Sequence, residues 1–99
     1  MAVGMLMNLP GVTQAQYEQV NQNLWGRSSM EPEDAPDGLI VHTAGATPDG
    51  WYVYDIWESK EHFQRFAEGK LGEATQAVAG GQMGGEPQFF EIHSLVQAK

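Results

Sequence analysis

Two short segments of the chain carry the residues best suited to chemistry. Leu39 to Ala44 (Leu-Ile-Val-His-Thr-Ala) and Trp51 to Trp57 (Trp-Tyr-Val-Tyr-Asp-Ile-Trp) are rich in β-branched and aromatic residues. Between them Ala46-Thr47-Pro48-Asp49-Gly50 supplies the Pro-Asp-Gly chemistry of a tight turn, so the two segments are expected to form a hairpin. With Ala46 opposite Trp51, Ala44 faces Val53, His42 faces Asp55 and Ile40 faces Trp57. Leu39, Val41, Thr43, Tyr52, Tyr54 and Ile56 fall on the other side, because side chains alternate along a strand. One face thus combines an imidazole and a carboxylate, about 5 Å apart at Cβ, with two indoles. The carboxylate fixes the tautomer of the imidazole and favours its protonated form, so His42 is a candidate general base or acid and Asp55 the group that orients it. The same pairing also serves as a purely structural cross-strand hydrogen bond.

The remaining polar candidates are weaker. His93 stands on the last predicted strand, and in a sheet of order 4-1-3-2 that strand lies three spacings, roughly 14 Å, from the strand of His42. A metal site built from His42, Asp55 and His93 within one subunit is therefore not expected. His62 falls in the first turn of the second predicted helix, where it is read as a surface residue. Asn8 ends the first strand, either as a turn former or as a polar group at a cavity mouth. The Gly-rich stretch from 80 to 85 has no Lys or Arg and no preceding strand, which argues against a phosphate cradle, and no nucleophile-elbow or nucleotide-binding pattern occurs.

These residues need a frame, and the chain spells one out. Ala2 to Met7 is a short apolar run stopped by Asn8, Pro10 and Gly11, which predicts a strand. Thr13 and Gln16 have capping-box spacing, and Tyr17, Val20 and Leu24 form one stripe of an amphipathic helix ending near Gly26. Arg27 to Gly38 reads as a solvated acidic loop. Ser59 is placed to cap a second helix whose stripe is Phe63, Phe66, Leu71, Ala74 and Val78, with a break expected at Gly69 or Gly72. The stretch from 80 to 85 reads as a flexible linker, and Gln88 to Val96 as the last strand. The order β-α-β-β-α-β predicts an α+β, ferredoxin-like fold, with a four-stranded antiparallel sheet and two helices on one face, in a single domain spanning 1–99.

Composition narrows the function. The 99 residues carry a net charge of −8, which repels phosphate backbones and anionic headgroups, so neither nucleic acid nor a membrane surface is an expected partner. With no cysteine there is no disulfide, thiolate nucleophile or cysteine-bound metal. The first residues lack the basic start and apolar run of a signal peptide, and cytoplasm is the expected compartment. A hydrophobic fraction of 41% suffices for one core, with a share of apolar surface left for a partner to cover.

Asp55-Ile-Trp-Glu-Ser-Lys-Glu-His-Phe-Gln-Arg-Phe66 resembles the strand-to-helix junction of the dimeric α/β barrel superfamily, which includes the antibiotic biosynthesis monooxygenases. Pro10-Gly-Val-Thr followed by Tyr17, and Gly38-Leu-Ile-Val-His-Thr-Ala-Gly45 with Asp49-Gly-Trp51, are similar to a branch of small bacterial proteins in that group. The resemblance spans nearly the whole chain. It implies a homodimer with its sheets packed into a barrel, and in each subunit a cavity between sheet and helices for a small apolar or aromatic ligand. Cofactor-free members of the group oxidise aromatic polyketides in that cavity. Haem-degrading members carry an Asn at the end of strand one, a Trp on the second helix and a His farther along it. Asn8 matches the first, but Phe66 and Gln76 stand in place of the other two, and Gln is a poor iron ligand, so no haem or other cofactor is expected. The functional expectation is an enzyme or enzyme-like binding protein for a small hydrophobic or aromatic metabolite, conceived as a cofactor-independent monooxygenase. The catalytic candidates are His42 and Asp55, and Asn8, Tyr17, Trp51, Trp57 and Phe66 are the candidates for the substrate cavity. The alternative is a non-catalytic dimeric module whose interior is filled by Trp51, Trp57, Phe63 and Phe66.

Overall fold

The β-α-β-β-α-β order is present in the computed structural model, which describes residues 2–76, 78 and 86–98. The elements are β1 (Val3–Pro10), α1 (Gln14–Trp25), β2 (Leu39–Thr47), β3 (Gly50–Trp57), α2 (Lys60–Phe66), α3 (Gly72–Gln76) and β4 (Gln88–Glu91). The strands are antiparallel and lie side by side as β2-β3-β1-β4, with the helices packed on one face, which is the ferredoxin-like arrangement. The glycine-rich stretch from 80 to 85 lies outside the described residues. Among the described residues no helix is long and apolar enough to cross a membrane.

Local chemistry explains each boundary that matters to the site. Thr13 closes a capping box: its Oγ1 accepts from the Gln16 N–H at 3.1 Å, and Gln16 Oε1 accepts from the Thr13 N–H at 3.0 Å. Gly26 ends α1 in the left-handed region, with φ 77°, and its N–H bonds to the Gln22 carbonyl. Ser59 caps α2 by accepting from the His62 N–H at 3.2 Å. The expected break falls at Gly69, where a widened turn over Ala67–Leu71 leaves helical geometry (φ −101°, ψ −108°) before α3 begins.

Three sequence expectations need correction. First, β2 does not run in regular register: His42 faces Asp55, Ala44 faces Val53 and Ala46 faces Trp51 as expected, but Leu39, not Ile40, faces Trp57. An irregularity between Leu39 and Val41 inserts an extra residue there, and such a bulge moves the preceding side chain to the opposite face. Second, β4 ends at Glu91 rather than Val96. Glu91 pairs with Val3 and the Ile92 N–H reaches the Ala2 carbonyl at 3.0 Å, and His93 sits exposed in the bend beyond. Third, His62 is half-buried rather than exposed, with its Nδ1 2.7 Å from Ser59 Oγ.

The burial of His62 has a backbone cause. Gly38 has φ +88°, and a Cβ built on it falls 2.4 Å from the His62 ring. Gly38→Ala therefore meets both a disfavoured backbone region and a side chain packed against it, and is expected to cost about 1–3 kcal/mol. Urea unfolding should show a lower midpoint at unchanged m. An unchanged midpoint would mean that the entry to β2 takes up the methyl group without strain.

Candidate functional site

The inner face of the sheet alternates apolar side chains with one polar island. Met5, Met7 and Leu9 from β1 and Val53 and Trp57 from β3 point toward the helices, and the island is His42 with Asp55. Between sheet and helices lies a cavity of about 300 Å³. Tyr17, Val20 and Leu24 of α1 line one side, and Phe63 and Phe66 of α2 with Leu71 line the other. Met30 and Pro36, from the loop read as solvated, also reach its wall.

The island is a chain of four hydrogen-bonded groups. Asp55 is 5% exposed, and its carboxylate receives two donors: the Trp57 indole N–H on Oδ2 at 3.2 Å and His42 Nδ1 on Oδ1 at 2.7 Å. An indole nitrogen only donates, so Asp55 is fixed as acceptor, and His42 Nδ1 carries the hydrogen between them. That leaves Nε2 as the basic nitrogen. It accepts from the Tyr17 hydroxyl at 2.6 Å. Burial pushes the Tyr17 phenol above its ordinary pKa; the polar side chain of Asn21 works in the opposite direction, and the nearby Asp55 charge adds to the rise. Tyr17 is thus held neutral through physiological pH.

The sequence candidates separate into three groups. His42, Asp55, Tyr17, Trp57 and Phe66 all line the cavity. Trp51 does not: it is buried in the cluster of Leu9, Val12, Val20 and Ala74, with its ring 5.2 Å from Tyr17, and its indole nitrogen finds no hydrogen-bond partner among the described residues. It backs Tyr17 instead of meeting a ligand. Asn8 is exposed and paired with Tyr52, on the face of the sheet away from the helices. Its position follows from strand parity, since the neighbouring Met7 and Leu9 take the inward places. His93 stays apart from His42, and among the described residues no three His, Asp or Glu side chains are grouped to hold a metal ion.

What the sequence did not single out is the contact between Tyr17 and His42, the cavity-lining Met30 and Pro36, and Asn21. The last left a signal. Asn21 lies one turn from Tyr17 on the same stripe of α1, where a polar side chain interrupts an apolar series, yet it is only 4% exposed.

Sheet order and helix placement define an α+β ferredoxin-like fold. One solved structure similar to this chain is a monooxygenase from the gene ActVA-Orf6 of Streptomyces coelicolor, in complex with the ligand Nanaomycin D. The two share 20% sequence identity over 99% of this chain and 92% of that one, with a TM-score of 0.53. No protein-family model matches the chain. No curated protein matches it in sequence.

Proposed function

We propose that this protein binds a small, uncharged aromatic metabolite bearing a hydroxyl group and oxidises it with molecular oxygen without a cofactor. The observation that carries this is the relay of Trp57, Asp55, His42 and Tyr17 in the wall of an otherwise apolar cavity. A ligand hydroxyl placed at Tyr17 gives its proton to the phenol oxygen as the phenol passes its own to His42 Nε2, and Asp55 stabilises the resulting imidazolium. The electron-rich oxyanion of the ring then reacts with O₂. One oxygen atom enters the ring as a carbonyl and the other leaves as water, carrying away the hydrogen of the hydroxyl and the hydrogen of the attacked carbon. The hydroxyarene is oxidised to a quinone, so the substrate itself supplies both electrons for the second oxygen atom. Kinship of fold with a ligand-binding monooxygenase supports this choice among the chemistries open to a base beside an apolar cavity.

Size follows from volume. A cavity of 150 Å³ takes up benzene, so about 300 Å³ suits up to roughly two fused rings. The test is oxygen uptake by the purified protein with phenol, 1-naphthol and anthrone as substrates. Uptake with naphthol, matched mole for mole by quinone, is expected. Tight binding of naphthol with no oxygen uptake would reduce the protein to the non-catalytic module, and binding of none of the three would remove the cavity from the function.

A homodimer belongs to the same proposal. The outer face of the sheet, away from the helices, carries Leu6, Tyr52, Tyr54 and Ile56, and Phe90 beside them is 49% exposed. Tyr54 lies across Gly4 and Tyr52 across Gly45, which flattens the surface. A stable dimer needs roughly 800 Å² from each subunit, and a four-stranded face supplies an area of that order. Tyr54→Asp with Phe90→Asp should convert the protein to monomer in sedimentation equilibrium; a wild-type chain that sediments as a monomer would refute the dimer.

A further inference from the structure

Beyond the relay, the cavity wall carries one side-chain oxygen that gives a hydrogen and receives none among the described residues. Thr75 lines the cavity from α3, one turn after Leu71, and its Oγ1 lies 3.0 Å from the Leu71 carbonyl and 3.1 Å from the Gly72 carbonyl. Both partners are acceptors, so the single hydroxyl hydrogen is shared between them and the lone pairs of Oγ1 stay free. The other polar oxygens of the wall are occupied. Each Asp55 oxygen receives a donor, and the Asn21 carbonyl oxygen receives the Trp25 indole N–H at 3.1 Å. Thr75 also has a firm base: its neighbour Ala74 is buried with Leu9, Val12, Val20 and Trp51, and the Ala74 carbonyl accepts from Asn23 Nδ2 of α1 at 3.0 Å. The short helix bearing Thr75 is thereby fastened to the helix bearing Tyr17, which fixes the free acceptor relative to the relay.

We propose that Thr75 is a specificity-determining residue of this cavity: it accepts a hydrogen bond from a second hydroxyl on the ligand, so that a dihydroxyarene binds in preference to a monohydroxyarene. The inference rests on the proposed function and narrows its substrate. With the first hydroxyl at Tyr17 and the second at Thr75, the ring system is held at two points and its reacting carbon takes one orientation. A hydroxyl suits the second point and a carboxylate does not, because a free lone pair repels an anion and no Lys or Arg lines the cavity among the described residues. A methyl ether at the same place has no hydrogen to give.

The experiment is calorimetric titration under nitrogen, where no ligand is oxidised, with 1-naphthol, the 1,5-, 1,6- and 1,7-dihydroxynaphthalenes, and the ethers of these diols methylated at the distal hydroxyl. At least one diol is expected to bind about 3- to 10-fold more tightly than 1-naphthol, the contribution of one neutral hydrogen bond, and its ether is not. Thr75→Val keeps the shape of the side chain and removes the oxygen. It should abolish the preference while leaving 1-naphthol binding within about twofold of the wild type. Thr75→Ser returns the oxygen and should restore the preference, which a merely structural threonine would not govern. Thr75→Ala takes the place of the valine variant if that one does not fold. A wild type without any diol preference, or a preference that survives in the folded valine or alanine variant, overturns the proposal, and binding of 1-naphthol in the same titrations leaves the proposed function standing. Failure of 1-naphthol and every diol to bind would overturn both.

Discussion

His42→Ala is expected to lower the rate of hydroxyarene oxidation by about 10²–10⁴-fold, the range for losing a positioned general base. The variant should still fold. The His42 side chain is 22% exposed and lies toward one edge of the sheet, so its removal leaves no sealed void. It does leave the Asp55 carboxylate with one of its two donors and the Tyr17 hydroxyl without its acceptor. A buried group stripped of a partner costs about 1–3 kcal/mol, which for a domain of this size lowers Tm by several degrees. The two effects are separable. His42→Gln restores a hydrogen-bonding group of similar reach and should recover much of the lost Tm, but no activity, since an amide nitrogen does not take up a proton. Wild-type rates in His42→Ala, measured as oxygen uptake, would remove the imidazole from the mechanism and return it to the structural cross-strand pairing.

The largest effect on stability is expected from Trp57→Ala. Trp57 is 1% exposed, with Phe63 at 5.5 Å and Phe66 at 5.8 Å between ring centroids, and it donates to Asp55. Truncating a buried aromatic residue costs about 3–5 kcal/mol for lost burial and the cavity left behind. The unmet Asp55 acceptor adds about 1–3 kcal/mol. Against a total stability of about 5–15 kcal/mol, that is enough to leave a large unfolded fraction at 37 °C. Circular dichroism during urea titration measures it. Trp57→Phe separates the contributions: it keeps most of the packing, removes the indole N–H, and should cost no more than about 3 kcal/mol. An alanine variant with nearly native midpoint would mean that the cavity collapses onto the gap, and that the aromatic wall is not what holds sheet and helices apart.

The frame was legible because it is written in local, periodic chemistry. A capping box at Thr13 and Gln16, a Pro-Asp-Gly turn between two β-rich runs and a Ser cap at 59 are signals of a few residues each, and each produced the expected element. Pairing of His42 with Asp55 was equally readable, since turn length fixes hairpin register and parity then sets the face. The same parity rule misplaced Leu39, because a bulge is a single inserted residue with no composition of its own. Parity also sets Asn8 on the outer face, away from the cavity mouth that its place at a strand end left open to it.

What remained hidden depends on distances between elements. Nothing in the spacing of Tyr17 and His42, 25 positions apart, announces a 2.6 Å contact, because that contact needs the tilt of α1 on the sheet. Met30 and Pro36 were hidden by their surroundings: a loop rich in Ser, Glu and Asp reads as solvated, and only the folded chain brings these two side chains to the cavity. Trp51 and Trp57 share a strand and a face, yet one backs the core and the other lines the site, according to which helix lies above each.

The most direct test of the central claim, that the relay faces a ligand inside this cavity, is an isotope-filtered NOE spectrum of the protein saturated with 1-naphthol. Cross-peaks from the naphthol ring to Tyr17, Trp57 and Leu71 are the predicted result. Cross-peaks confined to Tyr52, Tyr54 and Phe90, on the outer face of the sheet, would contradict it.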